Sequence, residues 1–315
     1  MKELNFVYEK EESIRLDKYL VEMIPEESRT NLQNLIKANN VLVNDEVVKA
    51  NYKLVIGDEI EVIIPDAVSD TVLPEDIPLD IVYEDEDIIV INKVSGLVVH
   101  PGAGNKDGTL VNALLFHCKD LSGINGIIRA GIVHRIDKDT SGLLVACKND
   151  LAHRNLAKQF EEKKVTRKYH AICYGVIPHN LGKINAPIAR SKTNRQMMGI
   201  VERGKNALTN FKVIERYKEH TYLELQLETG RTHQIRVHMK YIGFPILGDP
   251  VYGPRNVYGE TGQFLHAKTL GFYHPRSNKF MEFDSELPIY FRDFIQEQKK
   301  NLLCYDTLKV DSELK

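Results

Sequence analysis

What this chain of 315 residues lacks narrows its chemistry at once. Its four cysteines, Cys118, Cys147, Cys173 and Cys304, include no Cys-x-x-Cys pair. That removes the usual zinc knuckle and the redox dithiol. Isolated cysteines in strand-like runs are small buried hydrophobes, and reduced thiols fit a cytosolic address. No uninterrupted apolar run approaches bilayer length, and no apolar signal core follows Met1-Lys2-Glu3-Leu4-Asn5. A cytoplasmic protein without membrane association is expected. Gly-x-Gly-x-x-Gly, Walker, Gly-x-Ser-x-Gly and His-Glu-x-x-His patterns are missing too, and Ser141 has no nucleophile-elbow context. The chemistry is therefore expected to need no cofactor: neither nucleotide, flavin nor metal.

What is present is ordinary for a globular protein, with 43% hydrophobic and 27% charged residues, and long enough for two domains. The net charge of −2 conceals a division. Residues 129–255 carry 23 Lys and Arg against 11 Asp and Glu, whereas the remainder carries 19 against 33. Such asymmetry points to a basic surface for a polyanion, or to charges that merely solvate opposite faces.

Residues 13–64 read as a small α+β module. Ile14, Leu16, Tyr19, Leu20 and Met23 recur at helical spacing, Thr30–Ala38 follows as a second helix, and Val41–Val43 and Glu59–Ile64 alternate as strands around the turns Asn44-Asp45 and Gly57-Asp58. Residues 66–87, with nine acids and no Lys or Arg, read as an extended linker through residue 87. The main domain runs from residue 88 to 300, followed by a polar tail, 301–315. Strands are expected at Ile88–Ile91, Gly142–Lys148, Lys168–Tyr174, Leu208–Tyr217 and Tyr222–Leu227. Helices are expected at Thr109–Cys118, at Leu151–Glu162 through Leu151, Leu156 and Phe160, at Arg231–Ile242, and at Leu287–Lys299. Strands in series with few helices predict an α+β fold with a mixed, largely antiparallel sheet. No heptad pattern or long apolar edge argues against a monomer.

Three segments carry candidate chemistry. His134-Arg135-Ile136-Asp137-Lys138-Asp139-Thr140-Ser141-Gly142 is a charged loop between apolar runs, which suggests a carboxylate at a sheet end. Arg135 with Asp137 is either a working pair or a structural ion pair. Arg167-Lys168-Tyr169-His170 lies on a strand, where Tyr169 either packs in the core or offers a flat ring to a base. In Gly230–His238, Arg231 sits where a strand gives way to a helix, and His233, Arg236 and Lys240 share a helix face as a basic stripe. His233 and His238 lie on different faces, which argues against a zinc pair.

Together these segments resemble the RluA/RluD-type (ribosomal large subunit) pseudouridine synthases over residues 80–295. The family's His-Arg-Leu-Asp loop stands here as His134-Arg135-Ile136-Asp137, continued by Thr140-Ser141-Gly142-Leu143-Leu144. Its Arg-Lys-x-Tyr element stands as Arg167-Lys168-Tyr169, one residue tighter, and Gly-Arg-x-His-Gln-x-Arg-x-His is intact at 230–238. Gly248-Asp249-x-x-Tyr252-Gly253 also matches. The first 64 residues resemble the S-four-type RNA-binding module (alpha-L motif). The resemblance implies a pseudouridine synthase fold and isomerisation of uridine in RNA, with large-subunit ribosomal RNA or its precursor as partner. Asp137 would be the catalytic carboxylate, Arg231 its partner keeping it ionised, and Tyr169 the ring packed on the uracil. Arg135 would fill the space of the everted nucleotide. His134, Thr140, His233 and Arg236 are further substrate-binding candidates, and Arg15, Lys18, Arg29 and Lys37 are RNA-binding candidates in the small module. The competing readings are a non-catalytic RNA-binding or ribosome-assembly protein and, more weakly, a metal-dependent hydrolase using His134 and Asp137.

Overall fold

The computed structural model describes residues 2–64, 72–102, 104–191, 194, 197–254 and 262–313. The chain divides into two compact units, Met1–Thr71 and Val72–Lys315. Residues 65–71 of the expected linker, the side chain of Cys304 and residues 314–315 lie outside the described part.

The first unit comprises β1 (Lys2–Val7), α1 (Leu16–Met23), α2 (Arg29–Lys37), β2 (Val41–Val43), β3 (Glu46–Val47) and β4 (Glu59–Ile64). Its antiparallel sheet has the order β1-β4-β2-β3. Leu16 and Leu20 of α1 pack with Leu32 and Ile36 of α2 and with Val41, Ile60 and Val62 of the sheet. Ser28 caps α2, its hydroxyl accepting the Asn31 N–H. Asn44 and Asp45 both take positive φ, 53° and 63°, the geometry of a primed turn that reverses β2 into β3. Two expectations are corrected. Met23 is exposed, because α1 ends there and Ile24 takes the core position. The module also starts before residue 13: β1, whose apolar Leu4 and Phe6 are half-buried against the core, pairs with β4.

The second unit follows as β5 (Ile81–Glu84), β6 (Ile88–Lys93), α3 (Leu110–His117), β7 (Ser141–Cys147), α4 (Asp150–Glu161), β8 (Thr166–Tyr174), β9 (Leu181–Asn185), β10 (Ile188–Arg190), β11 (Met198–Ile200), β12 (Leu208–Arg216), β13 (His220–Leu227), α5 (Gln234–Tyr241), β14 (Leu265–Tyr273), β15 (Phe280–Asp284) and α6 (Ile289–Glu313). A nine-stranded sheet has the order β5-β6-β7-β14-β8-β13-β12-β9, with β15 also on β14. The β7–β14 pairing is parallel and the others are antiparallel, so the sheet is mixed and largely antiparallel, as expected. β10 and β11 form a separate hairpin-like pair.

The period of two in β6 and β7 explains how both faces are covered. Ile89, Ile91, Leu144 and Ala146 point into one core with α3 and with Ile235 and Met239 of α5. Ile88, Val90, Leu143 and Val145 point into the other with Ala152 and Leu156 of α4. Where β7 meets β14, Gly142 has φ +109°, and a Cβ there would lie 2.3 Å from the Ala267 carbonyl oxygen. Only glycine lets the parallel strands close at that point, five residues after Asp137.

Three more expectations change. Residues 72–87 are not a linker. β5 joins the sheet, Asn112 Nδ2 donates to the Leu73 carbonyl, and the partly buried Leu79 and Ile81 pack on the core. Leu151 is exposed, because α4 buries the face of Ala152, His153, Leu156 and Gln159. The last helix continues beyond residue 300, to Glu313.

Candidate active site

The loop entering β7 carries Asp137 to the rim of a cavity of about 510 Å³. Tyr169 from β8, Leu227 at the end of β13, Ile235 and Arg236 from α5, and Leu265 of β14 form its walls. Asp137 and Tyr169, far apart in sequence, thus face one opening lined by both charged and apolar side chains.

The carboxylate of Asp137 is held by Arg236. Arg236 Nη1 donates to Asp137 Oδ2 at 2.9 Å, while its Nε and Nη2 donate to Asp249 Oδ2 and Oδ1 at 2.7 and 2.9 Å. Asp249 is fully buried and also accepts the backbone N–H groups of Val251 and Tyr252. Burial pushes the Asp249 carboxyl up, but Arg236 and these N–H groups outweigh it and hold it below the usual carboxylate range. Burial alone would pull Arg236 down; its two acidic partners raise it above the usual arginine range. The Tyr252 ring, 5.0 Å from the guanidinium carbon, closes the remaining side. One arginine therefore serves two carboxylates, one sealed and one, Asp137, 23% exposed to the cavity. Among the described residues, Asp137 Oδ1 has no hydrogen-bond partner.

This corrects the expected pairing. Arg231 lines the cavity, but its Nε donates to the Asn206 carbonyl at 3.0 Å and its backbone N–H is taken by Gln234 Oε1. Nor is there a basic stripe along α5. His233 precedes the helix in a left-handed conformation (φ 56°), with Nδ1 on the Tyr252 hydroxyl, and Arg236 is buried, leaving Lys240 over the Tyr252 ring.

His134 also departs from expectation. It lines the cavity, yet its Nε2 accepts the Val145 N–H at 3.1 Å and its ring stacks on Phe160 at 4.6 Å. Burial, with the nearby Arg167 charge, pulls it down to about 3, so it stays neutral and props the loop against β7. Thr140 is buried, its hydroxyl accepting from Gln263 Nε2. Both line the cavity, and their hydrogen bonds also brace the loop. Arg135 is exposed and, among the described residues, is held by Thr232 Oγ1 at 3.0 Å and His100 Nε2 at 3.4 Å, a tether compatible with swinging aside.

A supporting residue escaped the sequence reading. Lys93, 1% exposed, donates to the carbonyls of Val94, Leu97 and Lys138 at 2.8, 2.9 and 2.8 Å. Burial pulls it down to about 7, opposed by Asp139 and Asp137, and three acceptors for three ammonium protons favour its charged form. It ties the residue after Asp137 to the end of β6. Period two had put Lys93 on the face of the core residues Ile89 and Ile91, which was the available signal.

In the first unit, Arg15 and Arg29 converge on Asp17, which is fully buried. Arg15 Nε and Nη2 donate at 2.9 and 3.0 Å, Arg29 Nη2 at 3.1 Å and Gln33 Nε2 at 2.9 Å. Burial raises the carboxyl, but these donors hold it at about 2. Lys18 and Lys37 are exposed. Among the described residues, two clusters have the geometry to share a metal ion, Glu84–His117–Cys118 and Asp85–Asp87–His274, and neither contains a cavity residue.

The comparisons with known proteins agree with these two units. A family described as RNA pseudouridylate synthase matches residues 87–241, and the S4 domain matches residues 14–60. The chain is 53% identical to an uncharacterized RNA pseudouridine synthase of Bacillus subtilis, over 93% of this chain and 97% of that protein. It is 48% identical to the ribosomal large subunit pseudouridine synthase D of Zymomonas mobilis, over 87% and 90%. The solved structure of human RNA pseudouridylate synthase domain containing 1 shares 28% identity and a TM-score of 0.55, covering 71% of this chain and 86% of that one.

Proposed function

Because the chain belongs to the RNA pseudouridine synthases, isomerases that convert uridine to pseudouridine in RNA, we propose that Asp137 is its catalytic carboxylate and that large-subunit ribosomal RNA is its target. The observation that carries this reading is the carboxylate oxygen Asp137 Oδ1, without a hydrogen-bond partner among the described residues and facing the cavity, while Arg236 fixes the other oxygen.

The reaction breaks the bond from ribose C1′ to uracil N1, turns the ring, and joins C1′ to C5. The proton leaves C5 and N1 gains one, so atoms and electrons balance within the nucleotide. A uridine inside folded RNA must first leave its stack, at a cost of a few kcal/mol. The cavity has room for one ring, and Tyr169 with Leu227, Ile235 and Leu265 supplies a surface against which a base can lie. Arg135 at the mouth is placed to take the vacated position. Asp137 acts on the sugar or the ring, as nucleophile or base. Arg236 orients it, and Asp249, Tyr252 and Lys93 keep the arginine and the loop from moving. The four basic candidates of the first unit, Arg15, Lys18, Arg29 and Lys37, contact the RNA backbone, recognition that reads shape more than sequence.

The enzyme acts as a single chain in the cytoplasm, and no helix among the described residues is long and apolar enough to cross a membrane. The ribosomal target is supported by the names of relatives at 42–48% identity, ribosomal large subunit pseudouridine synthases D. Pseudouridine mapping of total RNA from cells with and without the gene tests it. Sites should vanish from large-subunit ribosomal RNA; loss confined to transfer RNA would refute the target.

A further inference from the structure

The cavity wall holds a cation, Arg167, that forms no ion pair among the described residues. Arg167 lies on β8 two residues before Tyr169, so both project from the same face of the strand. Its guanidinium carbon sits 5.5 Å over the Phe160 ring, which in turn stacks on His134. On another side, a Cβ at Gly230 would come within 2.7 Å of Nη1. Rings and backbone thus hold the guanidinium in place. Among the described residues, no carboxylate forms an ion pair with it, and its buried Nε has no hydrogen-bond partner. Burial pulls Arg167 below the ordinary arginine range, as expected of a charge that its surroundings do not offset.

Buried charges are normally paired. Arg236, in the same cavity, has two carboxylates, whereas Arg167 has none. Arg135, Lys163, Arg167, Arg231 and Arg236 line the same opening against Asp137, Glu161 and Glu228, so the lining carries more positive than negative charge, which favours an anion. Every nucleotide of the RNA substrate brings one, its phosphodiester, and the planar guanidinium fork matches phosphate geometry.

We propose that Arg167 is a positioning residue that binds a non-bridging oxygen of a phosphodiester adjoining the target uridine and so sets how far the nucleotide enters the cavity. This rests on the reading of the cavity as the uridine-isomerising site. A purely structural role, bracing Phe160 and His134, would lower stability without regard to the charge on any one RNA linkage.

The test uses the full chain and a short RNA substrate in which each phosphodiester within one nucleotide of the target uridine is replaced singly by an uncharged methylphosphonate. Losing a charge-assisted hydrogen bond should lower kcat/KM by about tenfold to a hundredfold. One linkage should show that loss in the wild type. R167Q should show it on the all-phosphate RNA, mainly in KM, with no further loss when that linkage is neutral. G230A, which displaces only the tip of the Arg167 side chain, should weaken the same linkage's effect, and R167K should keep part of it. Independent, multiplying losses at every linkage, or equal rates on all the RNAs, would overturn the proposal. The methylphosphonate series on the wild type decides even if R167Q is unstable. Failure of the underlying reading would look different: the wild type would not isomerise the all-phosphate RNA, or D137N would.

Discussion

The two units solve the same electrostatic problem in opposite senses. In the first, one buried carboxylate, Asp17, collects two arginines whose side chains remain 43% and 57% exposed. In the second, one buried arginine, Arg236, collects two carboxylates, of which Asp137 is open to a cavity. The first cluster presents surplus positive charge to solvent, as a surface that grips a polyanion requires. The second presents surplus negative charge at a fixed point, as a reactive group requires. The difference teaches that what a buried ion pair does depends on which partner it leaves over.

The largest effect should come from removing that left-over carboxylate. Asp137→Asn should lower the isomerisation rate by at least about a thousandfold while leaving RNA affinity within a few-fold, measured by pseudouridine formation and by titration of labelled RNA. The non-catalytic reading requires no change in either.

Next come the centres of the clusters. Arg236→Met strands the buried Asp249 and should cost about 3–5 kcal/mol of stability by urea titration. Asp17→Asn leaves arginines that water already reaches, and should cost about 1–3 kcal/mol. If Asp17→Asn proved the costlier of the two, the proposed asymmetry would be wrong.

Acid separates the units further. His134 is held at about 3, so its neutral form contributes stability above its unfolded value near 6.5, and this is lost as pH falls from there toward 3. The loss should reach about 2 kcal/mol at pH 5. The first unit contains no histidine. Asp17, at about 2, contributes stability that persists above about pH 4 and fades only as pH falls toward 2. Urea midpoints read for each unit by segment-resolved labelling should fall between pH 6.5 and 5 in the second unit alone. The smallest effect belongs to the exposed lysines: Lys18→Ala and Lys37→Ala should each reduce the slope of log affinity against log salt by about 0.7–0.9, without changing the rate at saturating RNA.

Much of this architecture was legible in the residues. The Thr109 helix start, the Asn44-Asp45 turn and the apolar run Ile88–Ile91 are local signals, and the local elements followed them. Edge strands such as β1 were not legible, because a half-buried strand gains its order from a distant partner. At the site, the motifs brought Asp137, Tyr169 and Arg231 to one cavity, but motif order does not say which of two arginines turns inward. Here Arg236 does so because a second acid waits behind it. Asp249 is the lone acid between residues 230 and 254, and a single acid in so basic a stretch was the clue to the buried partner.

The most direct measurement is the structure of the Asp137→Asn protein bound to a short RNA containing the target uridine. One uridine should be out of its stack, with its ring against Tyr169 and its C1′ beside the side chain at position 137. RNA bound with all its bases stacked and the cavity unfilled would contradict the account.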